Sequence, residues 1–289
     1  MAYRIITEAT ADLNSELLAG LPEVTVIPMF VQVDGVEYQF GPGGNISAGE
    51  FYAQLRSGKF ASTSQINPAV YRSYFEQILK QGMDVLYLCF SSGLSSTIQS
   101  ARIAISELEE EYPDRKILLL DTLAASVGEG LFVMEAARKQ SQGMELEELA
   151  AWLEEHKLNL CHWFTVDTFD HLKHGGRVSA ASAAVGSLLG IKPLLHVDDN
   201  GKLVAVAKPR GQKKALQMLR GSMEKGWMKE LSNQVIIGHG DSLAVAMELK
   251  DMVAAQFPEA EIHIADIGPI IGAHAGPGVL AFFLWGSNH

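Results

Sequence analysis

The residues best suited to chemistry crowd into one short loop. In FSSGLSSTIQS, residues 90–100, four serines and a glycine fall between Ser91 and Ser96, after the apolar run DVLYLCF and before a long helical pattern. Serines between a strand and a helix can attack a carbonyl, receive an anion or cap the helix. Attack needs the G-x-S-x-G elbow, whose second glycine relieves a strained turn. GLSST lacks that glycine, which leaves binding and capping as the better roles. A G-x-x-x-x-G-K-[ST] phosphate loop occurs nowhere in the chain, so nucleotide hydrolysis by that route is excluded.

Other chemical signals are weaker. GPGVLA, residues 276–281, imitates a dinucleotide fingerprint, but strand-like residues follow where a βαβ unit requires a helix. GHGDS, residues 238–242, suits either an anion at a helix start or a glycine turn with Asp or Ser as cap. The nine histidines show no H-E-x-x-H or paired-cysteine spacing, so no metal site is expected. His171 and His174, and the carboxylates of ELEEEY, read as solvated helix faces. Cys89 and Cys161 sit in separate strand-like runs, the pattern of buried free thiols.

The formal net charge of −11 argues against a nucleic-acid backbone as partner, and it obliges any anionic ligand to find local donors. MAYRIITEATADL enters a strand pattern without the basic and apolar regions of a signal peptide, and no apolar run reaches membrane-spanning length. A cytoplasmic protein without stable membrane insertion is expected. Four small, polar, glycine-containing loops remain: STSQ (62–65), SSGLSS (91–96), KHGGRVS (173–179) and IIGAHAGPG (270–278). Loops of this kind gather outside the carboxyl ends of strands in open α/β sheets, where hydroxyls and amides can receive an anion. Each is also explained by turns and caps alone.

Alternating elements must position these loops. YRIIT reads as a strand, and VTVIPMFVQVDGVEYQF breaks at Asp34-Gly35, a pair favoured in tight hairpins. Ser47 with Glu50 predicts a capping box, and Asn67-Pro68 a second helix start. DVLYLCF, the helix from Thr97 to Tyr112, KILLLD and two more helices reaching about Leu158 imply a mostly parallel sheet covered on both faces. Ser96 or Thr97 is expected to cap the helix after the serine loop. Beyond CHWFTVD the pattern changes to a hairpin turning at Asp199-Asn200-Gly201, helices over 211–225 and 242–256, and strands QVIIG, EIHIADI and GVLAFFLWG. The expected fold is α/β in two domains. Residues 1–160 form an N-terminal α/β/α unit with a mostly parallel sheet, and residues 161–289 a C-terminal α+β unit with a mixed sheet.

The same loops, in the same order, resemble the DegV family of bacterial proteins over nearly the whole chain. The resemblance is carried by TEATADL, TSQ at 63–65, SSGLSST, DTLAASVGEG from Asp121, DTFDHLKHGGRVS, GSLLGIKPLL and IGPIIGAHAGPG. It implies a carrier, not an enzyme, that holds one long-chain fatty acid of the palmitate or oleate class in a tunnel between the domains. No further cofactor is implied. The carrier would present the carboxylate to a separate ATP-binding subunit of fatty acid kinase for acyl-phosphate formation. By the same resemblance Thr63 and Ser95, with Ser64 and His274 nearby, would hold the carboxylate, Ser92 being the alternative to Ser95. Arg177 would assist phosphoryl transfer. The chain departs from the family's usual T-D-S at Thr7-Glu8-Ala9, from T-S-Q-P-S at Ile66-Asn67, and from S-G-T at Ser95-Ser96-Thr97. The apolar and small residues of ASAAVGSLLGIKPLL, 181–195, are candidates for the tunnel wall. The competing class is a serine esterase or acyltransferase on these loops, with His274 as base.

Overall fold

The computed structural model describes residues 2–178 and 190–287. Its first sheet joins β1 (Tyr3–Glu8), β2 (Val24–Ile27), β6 (Asp84–Cys89) and β7 (Ile117–Asp121) in the order β2-β1-β6-β7, all parallel. Alternate side chains serve opposite faces, as the period of a strand requires. Val85, Tyr87 and Cys89 pack under α2 (Pro68–Leu79) and α3 (Thr97–Glu111), while Leu86 and Leu88 face α4 (Ser126–Ser141) and α5 (Leu146–His156). Asn67 caps α2 by accepting from the Val70 amide, and Ser47 and Glu50 close the capping box of α1 (Ala48–Arg56).

Pro28, which cannot donate to a ladder, separates β2 from β3 (Met29–Val33) and hands the chain to a second sheet. β3 turns through Asp34 and Gly35, at φ 53° and 79°, into β4 (Val36–Phe40), and on its other edge pairs with β5 (Ala61–Thr63). This antiparallel sheet holds the hairpin expected at Asp34-Gly35. Its third strand, β5, has three residues, too few to show a period in the sequence.

The third sheet is mixed, in the order β10-β9-β8-β13-β11-β12. It comprises β8 (Leu160–Thr165), the hairpin β9 (Leu194–Val197) and β10 (Leu203–Ala207), β11 (Gln234–His239), β12 (Glu261–Asp266) and β13 (Leu280–Trp285). Only β11 and β12 pair in parallel. Its outer face, with Val235, Ile237, Phe282 and Leu284, is covered by α7 (Gln212–Gly226) and α8 (Leu243–Gln256). Its inner face, with Ile236, Ala281 and Phe283, meets α4.

Strands before Leu160 build the first two sheets and strands from Leu160 onward build the third. Helix α4 lies between the first and third, and every residue from Ser126 to Ala137 is buried. A helix covered all round needs no polar stripe. Two glycines let it approach both sides: a Cβ at Gly128 would strike Phe283 and His162, and one at Gly130 the Ala11 carbonyl. One apolar core therefore runs from Tyr3 and Ile5 through α4 to Phe283 and Trp285. Two short helices, α6 (Asp170–His174) and α9 (Pro269–Ala275), pack against each other, and α9 also packs against β3, β5, α1 and the turn after β1.

Candidate functional site

The serine loop divides by role. Ser91 donates to the Gly201 carbonyl at 2.8 Å and accepts from the Gly93 amide, so it docks the loop on the β9–β10 turn. Gly93 is required there, since a Cβ would overlap the Asn200 and Gly201 backbone. Ser92 is exposed, its amide held by Asp121 Oδ1 at 3.1 Å, and it does not border the cavity described below. Ser95 does border it, and its Oγ accepts from the Thr97 amide at 3.2 Å. Ser95 is thus the side chain that meets a free amide of α3. Neither Ser96 nor Thr97 does so, because Thr97 Oγ1 turns inward to the Tyr71 hydroxyl at 2.7 Å.

The cavity opens where the three sheets meet and holds about 190 Å³, measured by where the centre of a water can sit. One water needs about 10–15 Å³ on that measure, so the space suits an extended molecule. Phe90, Phe164, Leu203, Ile267, Ile271 and Phe283 supply much of an apolar wall. Of the wall candidates at 181–195, residues 181–189 lie outside the described residues, and Leu194 packs in the outer core of the third sheet.

At one end Thr63, Ser64, Ser95, Arg177 and His274 all border the cavity. Thr63, the last residue of β5, is fixed by that strand's pairing with Val31. Its Oγ1 lies 2.9 Å from His274 Nε2. The other ring nitrogen, Nδ1, is buried against Gly175 without a hydrogen-bond partner. A buried N–H without an acceptor is costlier than a lone pair without a donor. The proton therefore belongs on Nε2, which donates to Thr63 and leaves the Thr63 hydroxyl hydrogen to point at a ligand. Burial, aided by Arg177, lowers the His274 pKa to about 4, so the ring is neutral at pH 7 and acts as a hydrogen-bonding group rather than a cation.

Arg177 is held by two backbone carbonyls, through Nη1 to Gly175 and Nε to Leu94 at 3.4 Å. Half burial lowers its pKa, and among the described residues no carboxylate pairs with it. A half-buried cation without a counter-ion favours an anion nearby. His171 corrects the expectation of a solvated face. Its ring packs against Gly276 and, at a tilt, against Phe60, which also carries the exposed His174.

Acids under the cavity went unread in the sequence. Glu8 accepts from the Tyr87 hydroxyl at 2.9 Å, the Tyr71 hydroxyl at 3.1 Å and the Phe90 amide at 3.1 Å. Burial raises its pKa, and raises that of Glu129 further because the two carboxyls repel. Thr7 donates to Glu129 at 3.0 Å. Asp12 accepts from Ser126 at 2.6 Å, and burial lifts its pKa to about 8. The signal lay in Tyr71 and Tyr87, whose hydroxyls inside apolar patterns must find partners. Both cysteines are buried and free. Among the described residues no cluster of three or more metal-ligating side chains occurs, and no helix is long and apolar enough to cross a membrane.

A parallel sheet and a mixed sheet flank a shared helix, with an internal cavity that is polar at its mouth and apolar along its wall. This is the plan of an α/β protein with a cavity between its sheets. The chain belongs to the DegV family, whose sequence model, described as an uncharacterised protein family, matches residues 2–286. A DegV domain-containing protein of Clostridium perfringens is 42% identical over 286 residues, 99% of this chain and 98% of that one. A Thermus thermophilus structure described as showing fatty acid binding by a DegV family protein superposes with TM-score 0.85 at 29% identity, covering 99% of this chain and all of the other. The Bacillus subtilis DegV structure, described as a fatty acid binding protein, gives TM-score 0.84 at 26% identity, covering 99% and 100%.

Proposed function

We propose that this protein binds a long-chain fatty acid in the cavity and presents its carboxylate to a separate ATP-binding kinase in the cytoplasm, which makes the acyl phosphate. The chain would act as two domains divided near residue 160, with the acyl chain between them. The observation that carries this reading is the lining of the cavity, where Thr63, His274, Arg177 and Ser95 gather among apolar side chains such as Phe90, Phe164, Ile271 and Phe283. The DegV relatives described as fatty acid binding add support.

The energetics are favourable. Each methylene moved out of water contributes about 0.8 kcal/mol, so about fifteen gain on the order of 10 kcal/mol before association costs of several kcal/mol. The carboxylate must meet donors, since burying it unpaired would cancel much of that gain. Thr63 and Ser95 supply hydroxyls, which orient an anion without locking it in an ion pair. Arg177 is then left for the incoming phosphoryl group. The esterase reading lacks support at the base: His274 contacts Thr63 rather than a serine, and no carboxylate orients its Nδ1.

Native mass spectrometry of the purified chain tests the class. A bound mass of fatty-acid size, lost on denaturation, is expected. A chain that emerges empty and takes up no fatty acid on incubation overturns the reading.

A further inference from the structure

Ser91 heads the serine loop but does not border the cavity, and the binding reading above gives it no part. It is 0% exposed, and every polar atom it carries is engaged. Its amide donates to the Ala124 carbonyl at 3.0 Å, and its carbonyl accepts from the Leu94 and Ser95 amides, both at 3.1 Å. Its hydroxyl donates to the Gly201 carbonyl at 2.8 Å and accepts from the Gly93 amide at 3.1 Å. Ser91 follows β6 of the first sheet, and Gly201 lies in the turn between β9 and β10 of the third. One buried hydroxyl therefore ties the two halves together four residues before Ser95.

The turn is a firm anchor. Asp198 Oδ1 accepts from the Asn200 and Lys202 amides, both at 2.9 Å, and the Asp198 carbonyl accepts from the Gly201 amide at 2.7 Å. Gly201 sits at φ 70°, and a Cβ on it would overlap the Ser91 hydroxyl. The same hairpin borders the cavity through Val197 and Leu203. Ser95 depends on this contact: its amide bonds to the Ser91 carbonyl, and its Oγ accepts from the Thr97 amide at 3.2 Å. Its hydroxyl hydrogen is left for a ligand. A hydrogen bond weakens steeply as it bends, so the aim of that hydrogen follows the position of the loop.

We propose that Ser91 is a positioning residue for the carboxylate: by tying the serine loop to the β9–β10 turn it aims the Ser95 hydroxyl, so that a hairpin of one half holds the head-group donor of the other in place. This rests on the acyl-binding reading above and adds to it the residue that orients the head group.

The test compares octadecanoic acid with octadecanol, which has the same chain without the carboxylate, in titrations of the full, delipidated chain. Ser91→Ala should weaken octadecanoic acid about three- to tenfold, the worth of one neutral hydrogen bond. Octadecanol should lose distinctly less, because hydrogen bonds to an ionised acceptor are roughly twice as strong as neutral ones. On a Ser95→Ala background Ser91→Ala should add little to the loss of acid binding, since residues acting through one another are not additive. Gly201→Ala, which drives a methyl into the Ser91 hydroxyl from the other half, should reproduce the selective loss and gives the reading if Ser91→Ala does not fold. The role is refuted if octadecanoic acid binding is unchanged, if acid and alcohol weaken alike, or if the effects of Ser91→Ala and Ser95→Ala multiply in full. Any of these with acid bound by the natural chain defeats the positioning role alone, whereas no binding of the acid by the natural chain defeats the acyl reading with it.

Discussion

At the mouth of the cavity the division between holding and reacting can be measured. Hydrogen bonds to a charged group contribute about 1.5–3 kcal/mol, so Thr63→Ala or Ser95→Ala should weaken acyl binding tenfold or more. Arg177→Ala should instead spare acyl binding while lowering acyl-phosphate formation in a reconstituted kinase assay. Unchanged affinity in both hydroxyl variants, or the reverse pattern for Arg177, would refute these roles. Asp12 gives a pH signature. Its folded-state pKa of about 8 lies above the ordinary 3.8, so the folded chain keeps a proton that the unfolded chain releases between those values. Stability from this group is therefore greatest at low pH and falls as pH rises from about 4 to about 8. Urea unfolding at pH 5 and pH 8 should show the natural chain losing on the order of a few kcal/mol relative to Asp12→Asn.

At the scale of elements, α4 has the tightest surroundings. Gly128 presents bare backbone to the Phe283 and His162 rings, and neither ring can move without disturbing β8 or β13. Gly128→Ala should cost about 1–3 kcal/mol of stability as overpacking, read as a lower urea midpoint at unchanged slope. A neutral result would mean that the helix can slide, and with it Ser126 at the cavity. The turn after β11 shows how tertiary contacts override local chemistry. Ser242 precedes α8 but caps nothing, because its hydroxyl donates to the Val279 carbonyl. Asp241 is drawn into an ion pair with Arg56 of α1.

The whole molecule has one core joining the first and third sheets through α4. Such a core couples the two halves, so urea unfolding followed by tryptophan fluorescence and by circular dichroism should give coincident transitions. Three of the four tryptophans, Trp163, Trp227 and Trp285, belong to the third sheet and its surroundings and Trp152 to α5, while circular dichroism weighs both halves. Fatty acid at a hundred times its dissociation constant should raise the stability by about 2.7 kcal/mol and move both transitions together. Separate transitions, with only one responding to ligand, would show that the halves fold independently.

Much of this protein was legible without coordinates because it is local. The apolar run DVLYLC, the turn at Asp34-Gly35, the box at Ser47 and Glu50 and the cap at Asn67 each depend on neighbours a few residues away, and the structure has them all. The resemblance of the loops marked Thr63, Ser95, Arg177 and His274 as candidates, and these residues now border one cavity. What the sequence could not show depends on residues far apart in the chain. Strand β5 is too short for periodicity and exists through its pairing with β3. Glu8 looked like a lengthened substitute for aspartate until Tyr71 and Tyr87 were seen to close over it. The apolar pattern of the sequence set which runs would form the core. Only the packing of α4 between two sheets decided which of them found partners, because a hydrogen bond over such separations is a property of the fold and leaves no pattern along the chain.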